Sequence, residues 1–150
     1  RVSWPRGAVL AGLLALLTAN GYALHNWFTD PAFSKPDFRG ALRYLQQHRQ
    51  PDEPVILLSG HMRPVVTYYA PHLPVLPLPD ERLLDVNKII RPDVVRALNQ
   101  KVAGHPGAWL LLWQDDIADP NAIIAHLFAT YGREEKVPAA FWGVRLRHYD

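Results

Sequence analysis

The chain of 150 residues contains no cysteine and a single methionine, Met62. Without cysteine there is no disulfide framework, no thiolate metal site and no cysteine nucleophile, so a domain of this size must be held by its packed core. A concentration of one charge is also missing: 16 basic and 14 acidic residues leave a formal charge of +2, and the basic residues are scattered. The electrostatic footprint of a nucleic-acid binder is therefore absent, and no nucleic acid is expected as a partner. Glycine is scarce where phosphate chemistry would need it, because the stretch Ser59-Gly60-His61-Met62-Arg63-Pro64 holds one glycine only. That excludes a Gly-rich dinucleotide or phosphate loop. There is no G-x-S-x-G elbow and no pair of histidines at metal-binding helical spacing, so neither a metal nor a cofactor is expected.

The longest gap of all is in charge. Between Arg6 and Asp30 there is no Asp, Glu, Lys or Arg, and Ala8 to Leu17 is an unbroken apolar run that continues more weakly to Leu24. A membrane-spanning helix needs about 20 residues, with roughly 17 as the lower limit, and Ala8 to Leu24 meets that limit. Trp4 on one side and Tyr22, Trp27 and Phe28 on the other suit an aromatic belt, while Arg1 and Arg6 place the N-terminal flank in the cytoplasm. The domain after Asp30 is then expected outside the cytoplasm, with the cell membrane as its first partner. A signal-peptide core and a buried helix of a soluble protein are the alternatives. Asn20 and Gly21 weaken a lipid-facing helix, although they suit contact with neighbouring helices. Because the chain opens on Arg1 and its only methionine is Met62, it is expected to be a piece or processed form of a longer protein. Residues 1–30 are thus read as a last transmembrane helix with flanks, and residues 31–150 as an α/β domain.

What is present beyond Pro31 alternates between helix and strand signals. Ser34 as a cap, Pro36 in the first turn and Asp37 near the positive dipole end open a helix reaching Gln50, with Phe38, Ala41, Leu42 and Leu45 on one face. Val55 to Leu58 reads as a strand covered on both faces. A short helix is expected over Arg63–Tyr69, a strand over Pro74–Leu78 and a helix over Pro92–Val102 stopped by Gly104. Ala108 to Trp113 gives the strongest strand signal. Pro120 to Tyr131 supplies a further helix capped by Asp119, followed by closing strands over Glu134–Val137 and Gly143–Tyr149. The pattern predicts a three-layer α/β domain with a mostly parallel sheet, Rossmann-like but lacking a nucleotide loop, with room for an antiparallel edge.

Three clusters are candidates for binding, and none forms a catalytic set. Asp115, Asp116 and Asp119 spell a DDxxD string that on a helix would suit magnesium and a diphosphate, but here it follows a strand and reads more simply as a capping loop. Ser59, His61 and Arg63 lie just past the end of the first strand, where open α/β sheets bind ligands. Ser59 and His61 lack the third group a catalytic pair would need. Tyr68 and Tyr69 offer a stacking surface or, more plainly, a division between core and rim.

An apolar helix followed by Asp30-Pro31, Lys35-Pro36-Asp37-Phe38-Arg39, Ala41-Leu42, Tyr44-Leu45, Pro54-Val55-Ile56-Leu57 and Tyr68-Tyr69-Ala70 resembles the C-terminal region of bacterial multi-spanning glycosyltransferases related to the protein mannosyltransferases and aminoarabinose transferases. The resemblance covers roughly Ala8 to Pro71. It implies an enzyme that takes a sugar from a polyprenyl-phosphate donor and passes it to an acceptor outside the cytoplasm. It also implies catalytic acids in an early loop of the membrane region, outside this chain, so no catalytic residue carries over and the domain takes an accessory, lid or acceptor-binding role. Two rivals stand beside it: a membrane-anchored interaction or ligand-binding module, and an independent enzyme using His61, Asp115 or Asp116. The last requires a deep pocket joining Ser59, His61 and Asp115.

Overall fold

The computed structural model describes residues 5–30 and 33–150; Arg1, Trp4 and Pro31 of the expected membrane flanks and connector lie outside them. Two compact units follow one another, Arg1–Lys35 and Pro36–Asp150.

The first unit is built on α1, Arg6–Thr29, which outruns the expected Ala8 to Leu24 at both ends. Its 24 residues give a rod of about 36 Å at 1.5 Å per residue, more than the roughly 30 Å of a bilayer's hydrocarbon. Apolar residues occupy every side of it and none of its residues is buried. The polar side chains are satisfied within the helix: Thr18 Oγ1 donates to the Leu14 carbonyl at 2.9 Å and Asn20 Nδ2 to the Leu16 carbonyl at 2.8 Å. By length and composition α1 can cross a membrane, as an anchor or a signal sequence would.

The second unit carries a five-stranded sheet in the order β2-β1-β3-β5-β4. Its strands are β1 (Val55–Leu58), β2 (Val75–Leu78), β3 (Ala108–Leu112), β4 (Glu134–Glu135) and β5 (Arg145–Tyr149). β1 pairs in parallel with β2 and β3, whereas β5 runs antiparallel to both β3 and β4. The sheet is therefore mixed, and the antiparallel strand lies inside it instead of at an edge. Arg145 opposite Leu112 and Tyr149 opposite Ala108 fix the register, so β5 starts at the C-terminal end of β3.

The helices are α2 (Phe38–His48), α3 (Arg63–Tyr69), α4 (Pro92–Val102), α5 (Asp115–Ala118) and α6 (Ile123–Tyr131). Side chains alternate across a strand, and the core divides accordingly. Val55, Leu57, Trp109, Leu111 and Leu146 pack with Phe38, Ala41, Leu42 and Leu45 of α2 and Val66 of α3. Ile56, Leu58, Leu110 and Leu112 pack with Leu98 of α4 and with Ile124 and Phe128 of α6. Each such fully buried aliphatic side chain stabilises the domain by about 1.5–3 kcal/mol, and the buried apolar core is drawn wholly from Phe38 onward.

Local signals differ from expectation at two helix starts. Asp37, not Ser34, caps α2, its carboxylate accepting from Gly40 N at 2.8 Å. Asp119 does cap the last long helix, through Ile123 N at 2.8 Å and Ile124 N at 2.9 Å, but α6 begins at Ile123 and not near Pro120. Residues 120–121 are a turn instead, and a separate short helix before them, α5, takes up Asp115 and Asp116.

Candidate functional site

Parallel strands that connect outward in opposite directions open a crevice at their C-terminal ends, the usual ligand position in an open α/β sheet. Here that point lies between β1, which leads through α3 to β2, and β3 on its other side. Ser59 and Gln114, just beyond the two strands, both adopt left-handed backbone conformations, with φ of 71° and 49°. These sharp bends direct the chain into the turn Gly60–Met62 and into α5.

The crevice is filled by the protein's own groups. Ser59 is 1% exposed, and its hydroxyl donates to the Trp113 carbonyl at 2.5 Å, tying β1 to β3. Gly60 has no room for a side chain, since a Cβ there would overlap the Pro79 carbonyl oxygen. The His61 ring lies 5.6 Å from the Trp113 ring, and Trp113 in turn meets Phe38 edge-on at 5.9 Å. Burial pushes the His61 imidazole below its ordinary 6.5, which favours the neutral form at pH 7. Residues Asp80 to Arg91 cross over this end between β2 and α4, held by the Lys88–Glu81 ion pair at 2.9 Å and by Ile90 N on the Ala118 carbonyl at 2.8 Å. Between this loop and Ser59, Gly60 and His61 remains a cavity of about 10 Å³, room for one water at most.

The remaining sequence candidates do not join them. Arg63 pairs with Asp80 at 3.3 Å on the surface. Asp115 is held by Arg145 of β5 and lines a different hollow, of about 300 Å³, with Asp119, His126 and Arg147. Asp116 is exposed. Tyr68 and Tyr69 meet edge-on at 4.9 Å near the end of α3, and the Arg39 guanidinium lies 5.6 Å from the Tyr69 ring centre. Ser59, His61 and Asp115 therefore share no pocket among the described residues, and Ser59, with its proton committed to a carbonyl, has no base to activate it. The described residues contain no group of three or more His, Asp or Glu side chains placed to hold a metal.

The most developed polar cluster lies at the opposite edge of the sheet and was not singled out by sequence. Glu53, 3% exposed, accepts from Trp109 Nε1 at 2.8 Å and from Gln50 N at 2.9 Å. Its other oxygen faces His148 Nε2 at 2.8 Å, and His148 Nδ1 faces Glu135 at 2.7 Å. Burial pushes the Glu53 carboxyl up, but the Gln50 N–H, the Trp109 indole and His148 together outweigh it, and the net direction is below the ordinary 4.5. The cluster is a staple joining the approach to β1 with β3, β4 and β5. Near it, an apolar hollow of about 390 Å³ lies between the ends of α4 and α6, lined by Val102, Leu127, Phe128 and Tyr149 with Asn99 and His105.

Compared with known proteins, the chain matches no family model, no curated protein and no solved structure.

Proposed function

We propose that this chain is the membrane-tethered C-terminal part of a glycosyltransferase that uses a polyprenyl-phosphate sugar donor, and that its α/β domain is an accessory element that binds the acceptor or covers the site. The observation that carries this reading is the conjunction of α1, apolar on all sides with no buried residue, with a domain that has a buried core of its own. Internal hydrogen bonds from Thr18 and Asn20 reduce the cost of placing those side chains in lipid. Arg1 and Arg6 on the N-terminal side of the apolar run favour a cytoplasmic N-terminus and hence an extracytoplasmic domain. Helices against both faces of β1 and β3 support a three-layer, Rossmann-like domain.

The donor identity rests on the ordered sequence resemblance from the apolar helix to Tyr68-Tyr69-Ala70. A lipid-linked sugar must meet its acceptor at the bilayer surface, and a domain tethered by one helix is suited to that place. In the full-length protein, deletion of everything after Asp30 is expected to abolish sugar transfer from the polyprenyl-phosphate donor in isolated membranes while leaving membrane insertion intact. Retained transfer contradicts the accessory role.

The apolar hollow between α4 and α6 favours a second reading, a membrane-anchored module that takes a small ligand, since its size falls within the range of ligand pockets. Many further spans upstream of Arg1 favour the transferase; a lone anchor favours the module.

A further inference from the structure

We infer that the loop Asp80–Arg91 is a membrane-contact element, which lays the C-terminal edge of the parallel strands against the lipid surface through Leu83, Leu84, Val86 and Trp142. Leu83 is 80% exposed, Val86 65%, Trp142 51% and Leu84 41%. In an isolated water-soluble domain such a group on one edge is unfavourable. The topology assigns both segments to that edge. The loop leaves the end of β2 and returns to Ala118, just after β3, while Trp142 lies in the turn that leads into β5 at Arg145, opposite the last residue of β3.

The same edge receives the tether. Asp37 N donates to the Trp142 carbonyl at 2.8 Å, and Pro36 packs against Gly143. Five residues lie between Asp30, the cap of α1, and Pro36, six steps of chain that reach about 21 Å at full extension. A lipid surface is the occupant this chemistry fits. Scattered Leu and Val side chains at a loop tip with a neighbouring Trp suit the interfacial layer, and the exposed Arg82 has a stem long enough to lie along it with its charge at the headgroups.

The inference rests on reading α1 as a membrane span, and its test separates the two. Because the native chain has no cysteine, Leu14→Cys, Leu83→Cys, Val86→Cys and Tyr131→Cys each give one site for a spin label in the full chain. Tyr131 is exposed and lies towards the opposite edge, beside Gly132, which meets Asp150. The proteins are reconstituted into phosphatidylethanolamine and phosphatidylglycerol vesicles, and label collisions with oxygen and with a water-soluble nickel chelate are compared. At positions 14, 83 and 86 the oxygen-to-nickel ratio is expected to be several-fold above that at position 131. A lipid-like ratio at 14 with water-like ratios at 83 and 86 overturns the contact and leaves the anchor standing. A water-like ratio at 14 overturns both. Shielding of 83 and 86 from both reagents indicates a protein neighbour, such as a second copy, and also overturns the inference, as does a lipid-like ratio at 131.

Discussion

The Glu53 carboxylate has three partners, Gln50 N, Trp109 Nε1 and His148 Nε2, against two for Asp119. Glu53 satisfies a buried indole N–H and a backbone N–H while facing a histidine, so removing it leaves several buried groups without partners. Glu53→Ala is expected to cost about 3 kcal/mol, read from urea denaturation. The pH dependence has a definite sign. Because the folded carboxyl titrates below its ordinary 4.5, its stabilisation is present above that value and is lost as pH falls through the lower, folded one. Glu53→Gln is therefore expected to flatten the acid side of the stability curve below about pH 4.5. A curve as steep as that of the unaltered chain excludes this role. None of this was legible in sequence, where Glu53 lies in the short connection between the helix reaching Gln50 and the strand from Val55: its partners Trp109 and His148 lie 56 and 95 residues away. Asp119 was legible because its partners are four and five residues on.

At the scale of elements, local chemistry settled several boundaries. The apolar run Val55–Leu58, Pro64 near the start of α3 and Pro92 at the start of α4 mark elements whose observed limits coincide with those expected. The place of β5 between β3 and β4 depends on pairing across more than 30 residues of chain, which no periodicity encodes. Along β5 only Leu146 and Tyr149 are buried, and being three residues apart they enter the two core clusters on opposite faces. The sharpest elemental test is the cap of α6. Asp119→Ala removes two accepted hydrogen bonds at a buried helix start and is expected to cost about 1–2 kcal/mol, with Asp119→Asn losing less. Equal losses for the two variants, measured by thermal melting, rule out capping as the reason for its burial.

For the molecule as a whole, the α/β class and the apolar helix were readable because both arise from composition and period: uninterrupted apolar runs for β1 and β3, and a charge-free span for α1. The closed state of the strand-end crevice was not readable. It depends on the bulk of Trp113, the path of the loop after β2 and the approach of Gly60 to Pro79, three features brought together only by the fold. The same closure separates His61 from Asp115, so residues that looked like one ligand site serve as packing and as an ion pair. The remaining large feature, a helix long enough to span and bare of buried contacts, decides how the domain is used.

The central claim, a self-contained domain carried on a membrane helix, is tested most directly by solution mass. Residues Arg1–Asp150 and a version beginning at Ser34 are compared with and without detergent. The longer form is expected to require detergent, and the shorter one to be a folded monomer without it. A detergent-free monomer of the longer form, together with unfolding of the shorter one, would place α1 in the core and contradict the account.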